Sequence, residues 1–268
     1  MKVVILAGGL GTRIMEETVR RPKPMVEICG QPILWHILKI YAHYGFREFV
    51  IALGYQGDSI KRYFINYFHE NGSLRLNFND GQVDAVREHG DNWLVHLVDT
   101  GLYTQTGGRL RRLKSWLGDE TFMLTYGDGV GDIDLDGLLA FHRSQARIGT
   151  ITAVKPPARF GGLVFDGGLV ANFTEKPVTG EGWINGGFMV FEPEIFRYLD
   201  SDATILERDA LETLAGEGEL AAHRHESFWQ CMDHLHDKQR LDTLCRDGLA
   251  PWKVWEDEPE GMPLLRGG

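Results

Sequence analysis

The chain has 268 residues, 43% hydrophobic and 25% charged, which is the make-up of a globular protein able to bury a full core. Its formal charge of −10 argues against general binding to nucleic acid or to anionic membranes, both of which select for positive surfaces. Three cysteines without CxxC spacing read as reduced thiols, no apolar run approaches membrane-spanning length, and the first strand starts at once without a cleavable leader, so the cytoplasm is the expected compartment.

Residues 2–7 form an apolar run, as expected of a strand buried on both faces of a parallel sheet. The run enters Gly8-Gly9-Leu10-Gly11-Thr12-Arg13. Three glycines in four positions let backbone N–H groups approach an anion closely, and Arg13 adds fixed charge, so the loop is a candidate phosphate cradle. A Walker loop would continue with Gly-Lys-Ser/Thr, and a dinucleotide fingerprint would need glycine or alanine where Ile14 stands; neither fits. The competing reading is a plain tight turn. Against it stands the basic, proline-stiffened segment Arg20-Arg21-Pro22-Lys23-Pro24-Met25 just downstream.

Pro32 is expected to open a helix to about Tyr44, closed by Gly45. A strand over 48–53 and a helix over 58–69 continue the β-α-β-α rhythm of a doubly wound sheet. Residues 72–92, polar and glycine-containing, suggest a hairpin or excursion. A strand over 93–98 leads into Asp99-Thr100-Gly101, and Thr104 through Gly107-Gly108-Arg109 precedes a helix to about Leu117, a second small-residue loop at a helix N-terminus. Strand 121–126 ends in Gly127-Asp128-Gly129. Ligands of open α/β sheets sit beyond the carboxyl ends of strands, which places Asp128 for chemistry. A helix over 134–146 follows. Strands are expected at 150–154, 162–165, 169–174 and 184–191, helices at 193–199, 206–216 and 234–247, and a frayed tail at 257–268. The fold class is therefore α/β, a doubly wound, mostly parallel sheet with a smaller antiparallel subregion, in a single domain over 1–256.

With so acidic a chain, an anionic ligand must meet a local cationic patch, for which Arg13, Arg20, Arg21, Lys23, Arg109, Arg111, Arg112 and Lys176 are available. The pairs His223/His225 and His234/His236 could chelate from one strand face, but neither has a third ligand at a recognisable spacing.

The motifs LAGGLGTR, PKPM and GQPILWHIL, followed in order by VDTG, TGGRL, TYGDGVGD, FTEKP, INGGF, FWQCMD and APWKVWE, span residues 1–256. Together they resemble the sugar-nucleotide pyrophosphorylases, nucleotidyltransferases of Rossmann-like fold that join an NTP to a sugar 1-phosphate, and among these the branch acting on CTP and glucose 1-phosphate. The resemblance implies a mainly nucleotide-binding half, 1–147, with contacts from Leu6, Ala7, Gly8, Gly9, Leu10, Gly11, Thr12, Arg13, Lys23, Thr104, Gly108, Arg109 and Asp128. It implies a mainly sugar-phosphate half, 148–256, the sugar phosphate being met by Tyr126, Gly127, Glu175, Lys176, Asn185 and Gly186. Arg13, Lys23 and Asp128 become the catalytic residues, Asp128 and Asp233 the ligands of Mg²⁺, and the assembly a homo-oligomer, a hexamer. Taken alone, Asp233 reads equally well as a helix N-cap before His234. The chemistry agrees with this picture: both reactants are polyanions, so catalysis needs cations and positioning rather than a Ser-His-Asp system. The chain departs from the pattern at Arg21, where lysine is common, and at Cys231 and His234, where proline and threonine usually flank the Met-Asp pair.

Overall fold

The computed structural model describes residues 1–9, 21–70, 73–77, 82–86, 91–156, 162–166, 169–174 and 182–255, with backbone only at 70, 73–77, 82–86, 162–166 and 169–174. Strand β1 (Lys2–Leu6) is followed by a 3-10 turn (Lys23–Met25), the short hairpin β2 (Glu27–Ile28) and β3 (Gln31–Pro32), and helix α1 (Ile33–His43). Next come β4 (Glu48–Leu53), α2 (Gly57–Glu70), the hairpin β5 (Ser73–Asn77) and β6 (Gln82–Val86), and β7 (Leu94–Asp99). Helices α3 (Thr106–Arg112) and α4 (Lys114–Leu117) lead to β8 (Phe122–Tyr126), β9 (Gly129–Gly131), α5 (Leu135–Gln145) and β10 (Gly149–Val154). The remainder runs through β11 (Gly162–Asp166), β12 (Leu169–Thr174), β13 (Ile184–Asn185) and β14 (Met189–Phe191) to a 3-10 helix (Pro193–Tyr198) and a π-helical segment (Leu206–Leu211). Helix α6 (Glu212–Gly216), β15 (Leu220–His225), β16 (Trp229–Cys231) and α7 (Leu235–Arg246) complete it.

The central sheet has the order β13-β10-β14-β8-β1-β4-β7, with β15 pairing β10. Strands β8, β1, β4 and β7 are mutually parallel, whereas β14 runs antiparallel to both β8 and β10. Alternation along β1 explains the layering. Val3 and Ile5 face a core shared with Ile33 and Ile37 of α1 and Leu241 of α7. Val4 and Leu6 face the opposite core, with Leu110 of α3 and Leu206 and Leu211 beyond it. The expected α/β sheet, helices on both faces, is the observed one.

Several boundaries differ for physical reasons. Pro32 pairs with Glu27 across the β2–β3 hairpin and its ψ of 142° is extended, so the helix starts one residue later, at Ile33. The expected strand 184–191 is interrupted: Gly187 (φ 74°) and Phe188 (φ 45°) adopt left-handed backbone, and both halves still pair with β10. The expected helix 206–216 begins as π-helix. Strands β9, β15 and β16 go unannounced in the sequence. The reading of three reduced thiols is also corrected, since Cys29 and Cys245, with Cα atoms 5.7 Å apart, form a disulfide that ties the β2–β3 hairpin to α7, and only Cys231 is free. Local spacing could not reveal a pair separated by 216 positions. No helix among the described residues is long and apolar enough to cross a membrane.

Candidate active site

A cavity opens at the carboxyl ends of β1, β7 and β8. It brings together ten of the residues singled out in the sequence: Leu6, Ala7, Gly8, Gly9, Lys23, Thr104, Arg109, Tyr126, Gly127 and Asp128. Pro24, Gln105 and Thr106, from the two stretches picked out in the sequence, also line it, as do Leu102 and Tyr103, which escaped the sequence reading. Tyr103, 84% exposed, is an aromatic left in water at the cavity's rim. Leu10, Gly11, Thr12, Arg13, Glu175 and Lys176 lie outside the described residues.

At the centre of the site, the Lys23 ammonium donates to Asp128 Oδ2 at 2.5 Å and to Asp233 Oδ1 at 2.7 Å. Each member is placed by its backbone. Pro22 and Pro24 bracket Lys23 in a 3-10 turn whose Pro24 and Met25 are buried. Asp128 stands two residues past the end of β8, and Asp233 two residues past the end of β16. Pairing of β9 with β16 and a hydrogen bond from Met232 N–H to the Asp128 carbonyl (2.8 Å) bring these distant stretches together. The Asp237 carboxylate in the first turn of α7 accepts from the N–H groups of Asp233 (2.9 Å) and His234 (2.8 Å), fixing the loop despite the unusual residues at 231 and 234. The N-cap of α7 is His234, which leaves the Asp233 side chain for Lys23. Burial works against the charged form of Lys23, yet the two carboxylates outweigh it and its pKa is raised.

Two carboxylates converging on one cationic group are also the donor set that a hard divalent cation takes, substrate phosphates filling the remaining positions. The cation already between them, an ammonium, is the structure's own evidence that Asp128 and Asp233 suit positive charge.

Arg109, one of the residues lining the cavity, also has a structural task. Its guanidinium is buried and committed to the carbonyls of Leu53 (3.0 Å), Gly101 (2.7 Å), Gly8 (2.9 Å) and Leu102 (3.3 Å) and to the Thr100 hydroxyl (2.8 Å). It staples the ends of β1, β4 and β7 beneath the cavity. A side chain at Gly8 or Gly54 would collide with it, so both glycines leave room for an arginine as well as for a ligand. Gly108 packs closely against the Asp202 backbone, which leaves no room for a side chain there. Gly186 packs on Val154, and its carbonyl accepts from Trp229 Nε1–H at 2.8 Å. Of the remaining cations, Arg21 pairs with Glu27 and Arg112 with Asp202.

On the other wall, Asn185 Nδ2 donates to the Tyr126 hydroxyl oxygen at 3.2 Å, and Asn185 Oδ1 accepts from Gly187 N–H at 2.9 Å. Tyr126 donates to Glu207 Oε1 and Thr106 to Glu207 Oε2, each at 2.7 Å. Glu207 is a site-adjacent residue that sequence reasoning missed, because ILERDAL reads as an unremarkable helix. Burial, then the neighbouring Glu207 charge, raises the Tyr126 pKa and keeps the phenol protonated.

Residues 2–257 match the nucleotidyl transferase family. The chain is 48% identical over 257 residues, 96% of its own length and all of the relative's, to glucose-1-phosphate cytidylyltransferase of Salmonella typhi. It is 42% identical over 256 residues, covering 95% of itself and all of the relative, to the probable glucose-1-phosphate cytidylyltransferase of Bacillus subtilis. Among solved structures, HddC from Yersinia pseudotuberculosis shares the fold at a TM-score of 0.67 and 23% identity, with 90% of this chain and 98% of that one covered. With a phosphate-compatible glycine loop, a lysine clamped by two carboxylates at the strand ends, and a match across nearly its whole length, the chain belongs to the nucleotidyl transferase family.

Proposed function

We propose that this protein joins CTP to glucose 1-phosphate, giving CDP-glucose and pyrophosphate. The observation that carries the reading is the Lys23 ammonium between Asp128 and Asp233 at the cavity below Gly8 and Gly9, seen in a chain 48% identical over its length to a named glucose-1-phosphate cytidylyltransferase.

The sugar phosphate arrives ionised, so no proton need leave the nucleophile: one of its oxygens forms a bond to the α-phosphorus as the bond to pyrophosphate breaks in line. The obstacle is repulsion between two polyanions. Backbone at Gly8 and Gly9 can approach the triphosphate closely, and Lys23 supplies charge to the phosphates. Arg13 is assigned the same role on the triphosphate and Lys176 the sugar phosphate. Asp128 and Asp233 would hold Mg²⁺, which when bound neutralises phosphate charge and orients the oxygens. Tyr126 and Asn185 provide the sugar-facing wall. CTP is an intracellular metabolite, which makes the cytoplasm the compartment of this reading; we take the working form to be a homo-oligomer and residues 1–256 to be its catalytic unit.

The test is release of pyrophosphate by the pure protein with Mg²⁺, glucose 1-phosphate and each NTP in turn. CTP should give the highest kcat/KM, activity should vanish in excess EDTA, and Asp128→Ala should fold but not turn over. Undiminished activity in EDTA would remove the metal assignment.

A further inference from the structure

Glu207 sits in the first turn of the π-helical segment, and π-helical turns are rare enough to mark functional positions. Its two oxygens hold two side chains that line the cavity, Tyr126 and Thr106, at 2.7 Å each. Thr106 Oγ1 also accepts from the Leu206 N–H at 2.9 Å, which locks the carboxylate to the start of its own helix. An ionised carboxylate can only accept, so both hydroxyl protons point at Glu207. The phenolic oxygen in turn receives the Asn185 amide at 3.2 Å, and the amide's orientation follows from its oxygen accepting the Gly187 N–H. The chain of bonds therefore has one direction: amide to phenol, phenol to carboxylate.

What Tyr126 retains for a ligand is a lone pair with no proton to give, made more electron-rich by the hydrogen bond to a carboxylate. Phosphate oxygens gain nothing from such a group. A sugar hydroxyl, which can donate, does. We propose that Glu207 is a positioning residue that makes Tyr126 a dedicated acceptor for one hydroxyl of the sugar, so that it sets selectivity for the hydroxylated sugar over its deoxy counterpart; this rests on the sugar-phosphate reading of the same wall.

The experiment measures kcat and KM for glucose 1-phosphate and its 2-, 3-, 4- and 6-deoxy analogues, at saturating CTP, in wild type, Glu207→Gln and Tyr126→Phe. In wild type one analogue should lose at least about tenfold in kcat/KM, the size expected when a polar site meets a substrate lacking its partner group. In both variants that penalty should shrink to within about twofold, through KM for glucose 1-phosphate, with KM for CTP unchanged. A merely structural role would depress all five substrates alike and leave the discrimination intact. Glu207→Asp, which keeps the charge but falls a methylene short of Tyr126, should show the same collapse and serves where Glu207→Gln does not fold. The inference is overturned if wild type discriminates against none of the analogues, or if folded Glu207 variants discriminate as wild type does. Failure of wild type to use CTP with glucose 1-phosphate at all would instead count against the proposed function.

Discussion

Removing Lys23 should do more than delete one charge, because it leaves Asp128 and Asp233 facing each other with their shared cation gone. The three side chains are partly buried, 13–28% exposed, so the loss should be about 2 kcal/mol, below the 3–5 kcal/mol typical of a fully buried pair. Urea unfolding of Lys23→Met in EDTA checks this, and added Mg²⁺ should restore part of the difference; stability equal to wild type in EDTA would show that the carboxylates need no counter-cation. His36 makes a prediction about pH. It is 1% exposed, its Nε2 lies 2.9 Å from the Ile28 carbonyl, and its Nδ1 faces Trp252 Nε1 at 3.4 Å, a geometry that suits the neutral ring with Nε2–H donating. Burial pulls its pKa down to about 4. Between that value and the unfolded value of about 6.5 the unfolded chain binds the extra proton, so stability is fully present above about pH 6.5 and declines as pH falls toward 4, by ~3 kcal/mol. His36→Gln should flatten that part of the curve, and an unchanged slope in the variant would assign the loss elsewhere. Asp128 was legible at this scale because its place after an apolar strand speaks for itself. Asp233 was not, since a helix cap and a charge ligand look alike until Asp237 is seen holding the backbone at residues 233 and 234.

Elements were legible where a short-range pattern fixes them and obscure where a distant partner does. Strand β4 and helices α1, α2 and α5 follow from apolar periodicity and nearby proline or glycine. The break in 184–191 does not, because it depends on Thr152, whose Oγ1 donates to the Phe188 carbonyl at 2.7 Å and whose own carbonyl accepts from Gly186 N–H at 2.9 Å. Gly187 is the residue in that bulge that needs a left-handed conformation, and a Cβ there would also press on Thr125 and Tyr126. Gly187→Ala should therefore cost about 1–3 kcal/mol and raise KM for glucose 1-phosphate more than KM for CTP, since the bulge carries Asn185 against Tyr126. Equal effects on both substrates would separate the bulge from the sugar wall. Strand β15 was missed because its half-exposed residues, Ala-Ala-His-Arg-His, lack the apolar run expected of a strand, and its existence rests on pairing with β10.

For the molecule as a whole, the parallel sheet and its strand-end cavity were readable from the β-α rhythm, while the correct membership of the site required three-dimensional closure. The TGGRL motif was read as a ligand loop; Thr106 and Arg109 of it line the cavity, and its packing on Asp202 through Gly108 and its staple to the strand ends through Arg109 became visible only in the fold. Base selectivity belongs to this scale because the cavity wall is assembled from the ends of several strands. Cytosine offers an amine donor and an N3 acceptor where uracil offers the reverse, and the prediction is that Gly8, Gly9 and the Thr104–Arg109 loop, all of which contribute to the cavity lining, read that edge through backbone groups. Mismatched polar groups cost about 1–3 kcal/mol each, so CTP should exceed UTP by at least about tenfold in kcat/KM. Equal values measured with glucose 1-phosphate would rule out base-edge reading.

The contact of Lys23 with Asp233 joins positions 210 apart, and the neighbouring Cys29–Cys245 and His36–Trp252 links span comparable lengths. During synthesis the N-terminal strands therefore emerge from the ribosome long before the residues that complete the site. At ~5–20 residues per second the wait is on the order of 10–40 s, during which β1 can pair with β4 and β8 while Lys23 still lacks its second carboxylate. A nascent chain that has not yet released α7 can hold much of its central sheet but cannot close the site, so the site is completed only after residues 233–246 have emerged.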